Sequence, residues 1–345
     1  MAASDGHEPV EPEARITALE DQVARLAEMA KTLGAAEARD SAQEVASAAE
    51  AAMDDLKSTL AVEGDADSAG RAEKFEARLG QVAARAAKLR SAAAERFARE
   101  MDPLRVEVGQ AVLSHLAGRR GRGAGEREEA EDAFALADGD GDGAVDLGEF
   151  LAFVAGHGGG GFAAERLRAL FAYLDDDADG RLLRDDFARC LVVLYRVSRP
   201  NVDLCQTMGL TQGRLVRRLG LNEIVELVEG PVKESNKVVR IRCRSLQDGA
   251  TGWAMACGSN GVVFIQQTRI HFQVKCSTLL TSTFAVKGCT AVRQLKEGEL
   301  LEVLVWERLD KESGLTRLKG RALRDSAVGW ATTVGNKGAV HLQVV

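Results

Sequence analysis

The sequence predicts a multidomain chain: an N-terminal α-helical coiled-coil hairpin, an all-α pair of helix–loop–helix units, and two small all-β barrels. Three observations predict this fold class. Apolar residues recur every three or four positions over residues 14–117, which is the coiled-coil period. Residues 127–195 hold two acidic loops whose starts are 37 residues apart. The chain beyond Pro200 repeats itself with an offset of 77 residues.

The N-terminal region predicts long helices with a narrow apolar face. Residues 1–13 carry two prolines and polar side chains, and we expect them to be a disordered lead-in. The apolar seam of residues 14–117 begins with leucine, isoleucine and valine, is interrupted at Gly34, and continues mostly as alanine. A turn is expected at Glu63–Gly70, between two long helices that fold as a hairpin or dimerise. A helical spacer and a homodimer through the coiled coil are both open.

The second long helix is expected to break at Asp102-Pro103. Asp102 suits the N-cap of a new helix and Pro103 its first position, because proline has no N–H to donate. Residues 118–126 are rich in glycine and arginine and are expected to form a flexible linker.

The first acidic loop, Asp138–Glu149, reads DGDGDGAVDLGE and has the spacing of a cation site. A hard divalent cation takes six to eight oxygen ligands at roughly 2.3–2.6 Å. Gly143 holds the sixth position, where the loop must turn with positive φ. The predicted ligands lie at positions one, three, five, seven, nine and twelve: Asp138, Asp140, Asp142, the backbone carbonyl of Ala144, Asp146 and Glu149.

The second loop, Asp175–Asp186, reads DDDADGRLLRDD and departs from the first at two positions. Its predicted ligands are Asp175, Asp177, Asp179, the backbone carbonyl of Arg181 and Asp186. Position nine is Leu183, which cannot anchor a ligand or a water, and Asp186 is one methylene shorter than glutamate. Both changes predict weaker Ca²⁺ binding, or a shift towards the smaller Mg²⁺.

The two loops belong to an internal repeat, because the offset of 37 also relates Phe134 to Phe171 and Phe150 to Phe187. Val145 and Leu182, at position eight of each loop, are expected to face each other in a short antiparallel bridge. Residues 127–195 resemble the EF-hand pairs of the calmodulin superfamily. The resemblance implies calcium binding and a helix–loop–helix pair that opens on calcium and exposes an apolar groove.

The C-terminal part predicts two copies of one β unit, at residues 200–268 and 272–345. The segment Arg244–Ala254 (RSLQDGATGWA) matches Arg321–Ala331 (RALRDSAVGWA). Short strands at this spacing suggest small barrels. The order of a glutamate-rich strand, a second strand and Gly-Trp-Ala resembles bacterial-type SH3-like domains. Trp253 and Trp330 are expected in the barrel core, with a peptide groove as the alternative.

Composition narrows the function classes. No catalytic constellation or nucleotide-binding motif occurs, so we expect no enzyme activity. The basic run Arg214, Arg217 and Arg218 has no interleaved aromatic residues and predicts no nucleic-acid site. The six cysteines form no C-x-x-C pair and indicate reduced thiols. With no secretory leader and no apolar run long enough to span a membrane, a cytoplasmic protein is expected.

Charge is distributed unevenly along a chain of net charge −7. Residues 126–195 carry seventeen acidic and six basic side chains, and residues 197–345 carry thirteen acidic and twenty-one basic ones. The net charges are therefore −11 and +8, and we expect the basic repeats to dock on the acidic pair when calcium is absent. The favoured function is a calcium-responsive adaptor or scaffold that binds protein partners through the SH3-like repeats and helices. The alternative is a structural or cytoskeletal coiled-coil protein with a static EF-hand brace.

Overall fold

The computed structural model describes residues 12–60, 66–119, 133–158, 160–208 and 214–345. The chain divides into two compact units. The first comprises Met1–Glu100 with Leu323–Ala327, and the second comprises Met101–Ala322 with Val328–Val345. In the described parts of the chain, no helix is long and apolar enough to cross a membrane.

Three helices build the first unit: α1 (Pro12–Met29), α2 (Ala35–Leu60) and the beginning of α3 (Ala66–Arg119). One buried cluster joins Ile16 of α1, Ala49 of α2 and Leu79 of α3. A second joins Leu26 of α1, Ala38 of α2 and Ala93 of α3. Since α1 and α3 pass through the two clusters in the same order and α2 in the opposite order, α2 runs antiparallel to both.

The predicted helical region is therefore present, but the two-helix hairpin is wrong in its helix count. The chain turns at residues 30–34, where Gly34 was expected to interrupt the seam, and α1 and α2 are separate helices. The predicted turn at Glu63–Gly70 ends earlier, because α3 already begins at Ala66. Residues 1–11 of the predicted lead-in and 120–126 of the predicted linker lie outside the described residues. The homodimer through the helices stays a prediction.

The predicted break at Asp102-Pro103 is also wrong, because Pro103 lies inside the single helix α3. Proline inside a helix removes one backbone hydrogen bond and costs about 3 kcal/mol or more. The helix nevertheless continues because Met101, Leu104 and Val108 next to the proline are all buried, with Leu104 and Val108 fully so. Burying each such side chain contributes about 1.5–3 kcal/mol, which offsets the loss.

The C-terminal part of α3 packs closely in the second unit. Arg105 donates hydrogen bonds from Nη1 to the backbone oxygens of Arg189 (2.5 Å) and Val192 (2.7 Å). A Cβ atom at Gly109 would lie 2.2 Å from the carbonyl oxygen of Cys190, so only glycine permits this approach. This part of α3 is therefore part of the scaffold beneath the second acidic loop.

The acidic middle forms two helix–loop–helix units joined by a short sheet. Helical residues 133–137 precede the first loop. The remaining elements are β1 (Ala144–Asp146), α4 (Leu147–His157), α5 (Ala164–Leu174), β2 (Arg181–Leu183) and α6 (Arg184–Leu191). Val145 pairs with Leu182 across β1 and β2, which confirms the predicted bridge. The all-α description is therefore wrong in one respect, since each loop contributes a strand.

The core of this pair has the two-fold character that the 37-residue repeat predicts. Phe134, before the first loop, contacts Phe187 of α6 with ring centroids 5.6 Å apart. Phe150 of α4 contacts Phe171 of α5 at 5.7 Å. All four side chains are buried. In each helix–loop–helix unit, the phenylalanine before the loop thus packs against the phenylalanine after the loop of the other unit. These two contacts fix how the two loops face each other.

The two C-terminal repeats have the same topology. The first contains β3 (Leu194–Val197), β4 (Val202–Cys205), β5 (Leu215–Leu219), β6 (Ile224–Lys233), β7 (Val239–Ser245), β8 (Thr251–Cys257) and β9 (Ile265–Gln267). The second contains β10 (His271–Val274), β11 (Thr278–Thr281), β12 (Ala291–Leu295), β13 (Leu300–Asp310), β14 (Leu315–Ala322), β15 (Val328–Val334) and β16 (Leu342–Val344). Their strand orders are β5-β4-β8-β7-β6-β3-β9 and β12-β11-β15-β14-β13-β10-β16, all antiparallel. The predicted repeat is confirmed. The first repeat was expected to start at residue 200, but its first strand, β3, begins before that residue.

The predicted closed barrels are not found in the described residues, because each repeat is a seven-stranded sheet with no pairing between its two outer strands. The long strands bend instead at register shifts, as between Leu227 and Glu229 on β6. The glycine of the repeated Gly-Trp is required by close packing between strands. A Cβ at Gly252 or Gly329 would lie 2.7 Å from a carbonyl oxygen of the neighbouring strand.

The two tryptophans differ in burial. Trp330 is 4% exposed and packs against Phe284, with ring centroids 4.8 Å apart. The guanidinium of Arg308 lies 4.8 Å from its ring centroid. Trp330 is therefore a core residue, whereas Trp253 is only partly buried.

Candidate metal centre

Loop 1 is held in shape by its own carboxylates. Asp138 accepts hydrogen bonds from the backbone N–H groups of Gly141 (2.9 Å, to Oδ1) and Gly143 (3.1 Å, to Oδ2). Gly143 has a φ of 89°, which is the positive value predicted for the sixth position. The first residue of the loop is thus fixed against the turn at its middle.

Glu149 closes the loop from the other end. Its Oε1 accepts from the N–H of Gly139 at 2.9 Å, and its Oε2 accepts from the N–H of Asp146 at 2.9 Å. Asp146 Oδ1 accepts in return from the N–H of Glu149 at 2.8 Å, which makes a capping box at the start of α4. The position-twelve glutamate therefore reaches the beginning of the loop while it is anchored on a helix.

The structure brings together three of the predicted ligands of loop 1. Carboxylate oxygens of Asp138, Asp140 and Glu149 all lie within 4.8 Å of one another. Asp142 is instead paired with Arg181 of the second loop, where both side chains are about half exposed, 44% and 48%. Asp146 caps α4, and Ala144 lies at the beginning of β1.

The donor set of loop 1 fits a hard divalent cation. Three clustered carboxylates supply oxygen ligands only, and no nitrogen or sulfur ligand is among them. The ion pair between Asp142 and Arg181 is exposed, and such pairs contribute only about 0–1 kcal/mol. Asp142 can therefore turn to a bound ion at little cost.

Loop 2 clusters its first three ligands but not its last. Carboxylate oxygens of Asp175, Asp177 and Asp179 lie within 4.8 Å of one another. Burial and the neighbouring carboxylates raise the pKa of Asp175, although the N–H of Gly180 opposes this. Gly180 has a φ of 81°, as predicted for the sixth position.

The position-twelve residue of loop 2 has another partner. Asp186 forms an ion pair with Lys319 of β14, and Arg189 Nη1 lies 4.0 Å from the same Oδ1. Asp186 is 8% exposed, and burial raises its pKa although Lys319 opposes the shift. Leu183 at position nine is 55% exposed. The structure thus does not bring Asp186 into the cluster of the other three aspartates.

A buried ionic cluster beside loop 2 was missed by sequence reasoning. The side chain of Asp176 is only 4% exposed and contacts Arg189 (2.5 Å), Arg321 (2.8 Å) and Lys319 (3.6 Å). Burial alone raises the pKa of Asp176, but these three cations outweigh burial and hold it below the usual value. Asp176 occupies position two, which carries no ligand in the motif, so only the −11 and +8 charge imbalance pointed towards it.

The cluster continues through the second unit. Arg321 also lies 3.5 Å from Glu302, and Arg269 joins Glu302 (3.5 Å) to Asp102 of α3 (2.8 Å). Tyr173 of α5 donates its hydroxyl hydrogen bond to Asp102 at 2.9 Å. Burial, assisted by Asp102 and Glu302, raises the pKa of Tyr173 to about 12. Contacts of this kind tie α3, the second hand and the second repeat together.

Among the comparisons with known proteins, one supports a functional assignment, and it concerns residues 127–191. No curated protein matches the sequence. Solved structures of NlpC2 and NlpC1 from Trichomonas vaginalis are similar over 44% of this chain, with 13% and 14% identity and TM-scores of 0.23 and 0.22. The match covers 48% and 45% of those chains, about half their length, and at these TM-scores it carries no conclusion. Residues 127–191 match the family model of the EF-hand domain pair, which supports calcium binding by this part of the chain.

Proposed function

We propose that the chain is a calcium-binding adaptor whose first loop, Asp138–Glu149, is the principal Ca²⁺ site. The observation that carries the proposal is the convergence of Asp138, Asp140 and Glu149 within 4.8 Å, at the two ends of one loop. Asp142, Asp146 and the carbonyl of Ala144 complete the expected shell. Ca²⁺ accepts six to eight oxygens, and this set supplies six, or seven when Glu149 binds through both oxygens.

Loop 2 is proposed as a weaker or Mg²⁺-preferring site. Asp175, Asp177 and Asp179 supply clustered carboxylates. Leu183 contributes no ligand, and Asp186 is committed to Lys319. A small ion that keeps several of its own waters needs fewer protein ligands, which favours Mg²⁺ over Ca²⁺ at such a loop.

The adaptor role rests on the two repeated sheets, whose outer strands β5 and β12 are exposed. Leu215 and Val216 of β5 and Val292 of β12 are 40–48% exposed. An exposed strand edge with apolar side chains offers unpaired backbone groups to an extended peptide. We therefore propose a protein partner, bound in a cytoplasmic setting, and no catalytic role.

The alternative is a structural protein in which the EF-hand pair is a static brace. The ion pairs of Asp176 with Arg321 and Lys319 favour it, because they tie the second hand to β14. A calcium-responsive adaptor must change its conformation when calcium binds, whereas a static brace must keep its conformation. Hydrogen exchange of the full chain with and without Ca²⁺ separates the two. A change that reaches β5 or β12 supports the adaptor, and a change confined to loop 1 supports the brace.

The calcium site itself is tested by calorimetric titration of the full chain and its Glu149→Gln variant. Glutamine preserves the capping box but removes one charged oxygen, so we expect the affinity of the tighter site to fall by at least tenfold. The matched control is Glu165→Gln in the first turn of α5, outside both loops. Unchanged affinity in Glu149→Gln would contradict the proposed site.

A further inference from the structure

We propose that the second EF-hand loop is an ion-sensitive latch for the second β repeat, in which Lys319 holds the carboxylate of Asp186 that a divalent cation needs. The inference deepens the proposed calcium binding and rests on it, because it says what controls loop 2. It follows from the placement of three carboxylates and three cations, and from a difference between the two repeats.

Lys319 occupies the ligand that would close loop 2. The side chains of Lys319 and Asp186 are 14% and 11% exposed, and the two form an ion pair. The ammonium also lies 3.6 Å from Oδ2 of Asp176. Asp186 therefore cannot turn towards Asp175, Asp177 and Asp179 without leaving Lys319 in a buried place with one carboxylate fewer.

Two further ion pairs extend this contact. Arg308 of β13 binds Asp185 with both nitrogens, at 3.0 Å and 2.6 Å. Arg321 of β14 binds Asp176 at 2.8 Å. Three carboxylates of the second hand thus meet three cations of the second repeat, which we call the latch: Asp176, Asp185 and Asp186 with Arg321, Arg308 and Lys319.

Comparison with the first repeat shows that the sheet of the second repeat does not supply a partner for Lys319. At the position equivalent to Lys319, Arg242 pairs across the strands with Glu229, and their charged groups are 3.8 Å apart. Lys319 instead faces Val305 across β13 and β14, so its own sheet offers no carboxylate at that position. Arg242 and Glu229 are 42% and 58% exposed, whereas the side chain of Lys319 is 14% exposed and contacts the EF-hand. The second repeat therefore takes from loop 2 the partner that the first repeat supplies itself.

The latch acts on loop 2 and not on loop 1. Asp142 of loop 1 also has an intramolecular cation, Arg181, but that pair is about half exposed. Water can solvate both partners of that pair when it separates, whereas Lys319 is only 14% exposed and is paired with Asp176 and Asp186. Cation binding to loop 2 and closure of the latch are consequently in competition. By linkage, each weakens the other by the same factor.

The test is a calcium titration in the Glu149→Gln background, where loop 1 is weakened and loop 2 can be followed. Lys319→Met removes the charge and keeps the length of the side chain. We expect it to tighten binding at loop 2 by at least tenfold, or to reveal a second site where none is measurable. Arg242→Met, the equivalent change in the first repeat, is the matched control and should leave loop 2 unchanged.

Asp185→Asn gives a second test if Lys319→Met does not fold. It weakens the pair with Arg308 but alters no predicted ligand. We expect it to tighten cation binding at loop 2 by about threefold, because a partly exposed ion pair contributes little free energy. Unchanged binding at loop 2 in a folded Lys319→Met or in Asp185→Asn overturns the latch, as does an equal effect of Arg242→Met. Loop 1 is read separately in the wild-type chain, so a failure of the latch is distinguishable from a failure of the calcium site.

Discussion

Replacing Asp176 with asparagine removes one charge from the buried ionic cluster and should destabilise the second unit strongly. The side chain is 4% exposed and faces Arg189, Arg321 and Lys319 at 2.5, 2.8 and 3.6 Å. Its pKa is held below the usual value by these cations against the effect of burial, so the carboxylate is ionised at neutral pH. Asparagine keeps the shape of the side chain but removes the negative charge that the three neighbouring cations face.

The magnitude follows from burial. Removing one partner of a buried ion pair costs about 3–5 kcal/mol, because the remaining charge stays out of water. The exposed pair of Glu229 with Arg242 provides a control of the same type, for which Glu229→Gln should cost at most about 1 kcal/mol. In a unit of this size, 3 kcal/mol lowers the melting temperature by at least about 6 °C.

The assay is urea and thermal unfolding of the full chain without divalent cations, followed by circular dichroism. We expect Asp176→Asn to lower the free energy of unfolding of the second unit by about 3 kcal/mol, relative to Glu229→Gln. Equal stability of the two variants would refute the reasoning. It would mean that the cations around Asp176 are satisfied without its charge.

Three further predictions concern other contacts. Leu182→Ala removes a fully buried side chain from the bridge between the loops, so unfolding should become easier by about 2–5 kcal/mol in a denaturant titration. Burial raises the pKa of Glu223, but Arg217 outweighs it and keeps the pKa lowered. The ionised carboxylate of Glu223 therefore stabilises the folded state above about pH 4.3, and this stabilisation is lost as the pH falls through its lower pKa in the folded state. Glu223→Gln should consequently flatten the acid limb of a curve of stability against pH. Gly109→Ala should destabilise by several kcal/mol, because its Cβ meets a backbone oxygen at 2.2 Å, while Gly80→Ala on the same helix meets nothing within 4 Å and should stabilise by about 0.5–1 kcal/mol in thermal unfolding.

Local patterns in the sequence predict much of the fold. The bridge between Val145 and Leu182, the positive φ of Gly143 and Gly180, and the common topology of the two repeats all follow from repeats and loop spacing. In each case the prediction depends on residue types and their positions within a short segment. Such a segment determines its own local backbone conformation.

Tertiary contacts explain what the sequence did not predict. Pro103 indicates a helix break, yet the buried residues on either side of it keep α3 continuous. The role of Asp186 was inferred from its place in the loop, but its partner Lys319 lies 133 residues further along the chain. No local spacing relates the two, and only the opposite charges of the two regions indicated that they would meet.

Calorimetric Ca²⁺ titration of the full chain, in the presence of Mg²⁺, tests the central claim most directly. We expect one tighter Ca²⁺ site that is lost in Glu149→Gln, with loop 2 either silent or clearly weaker. Two equal Ca²⁺ sites, or a tighter site that survives Glu149→Gln, would contradict it.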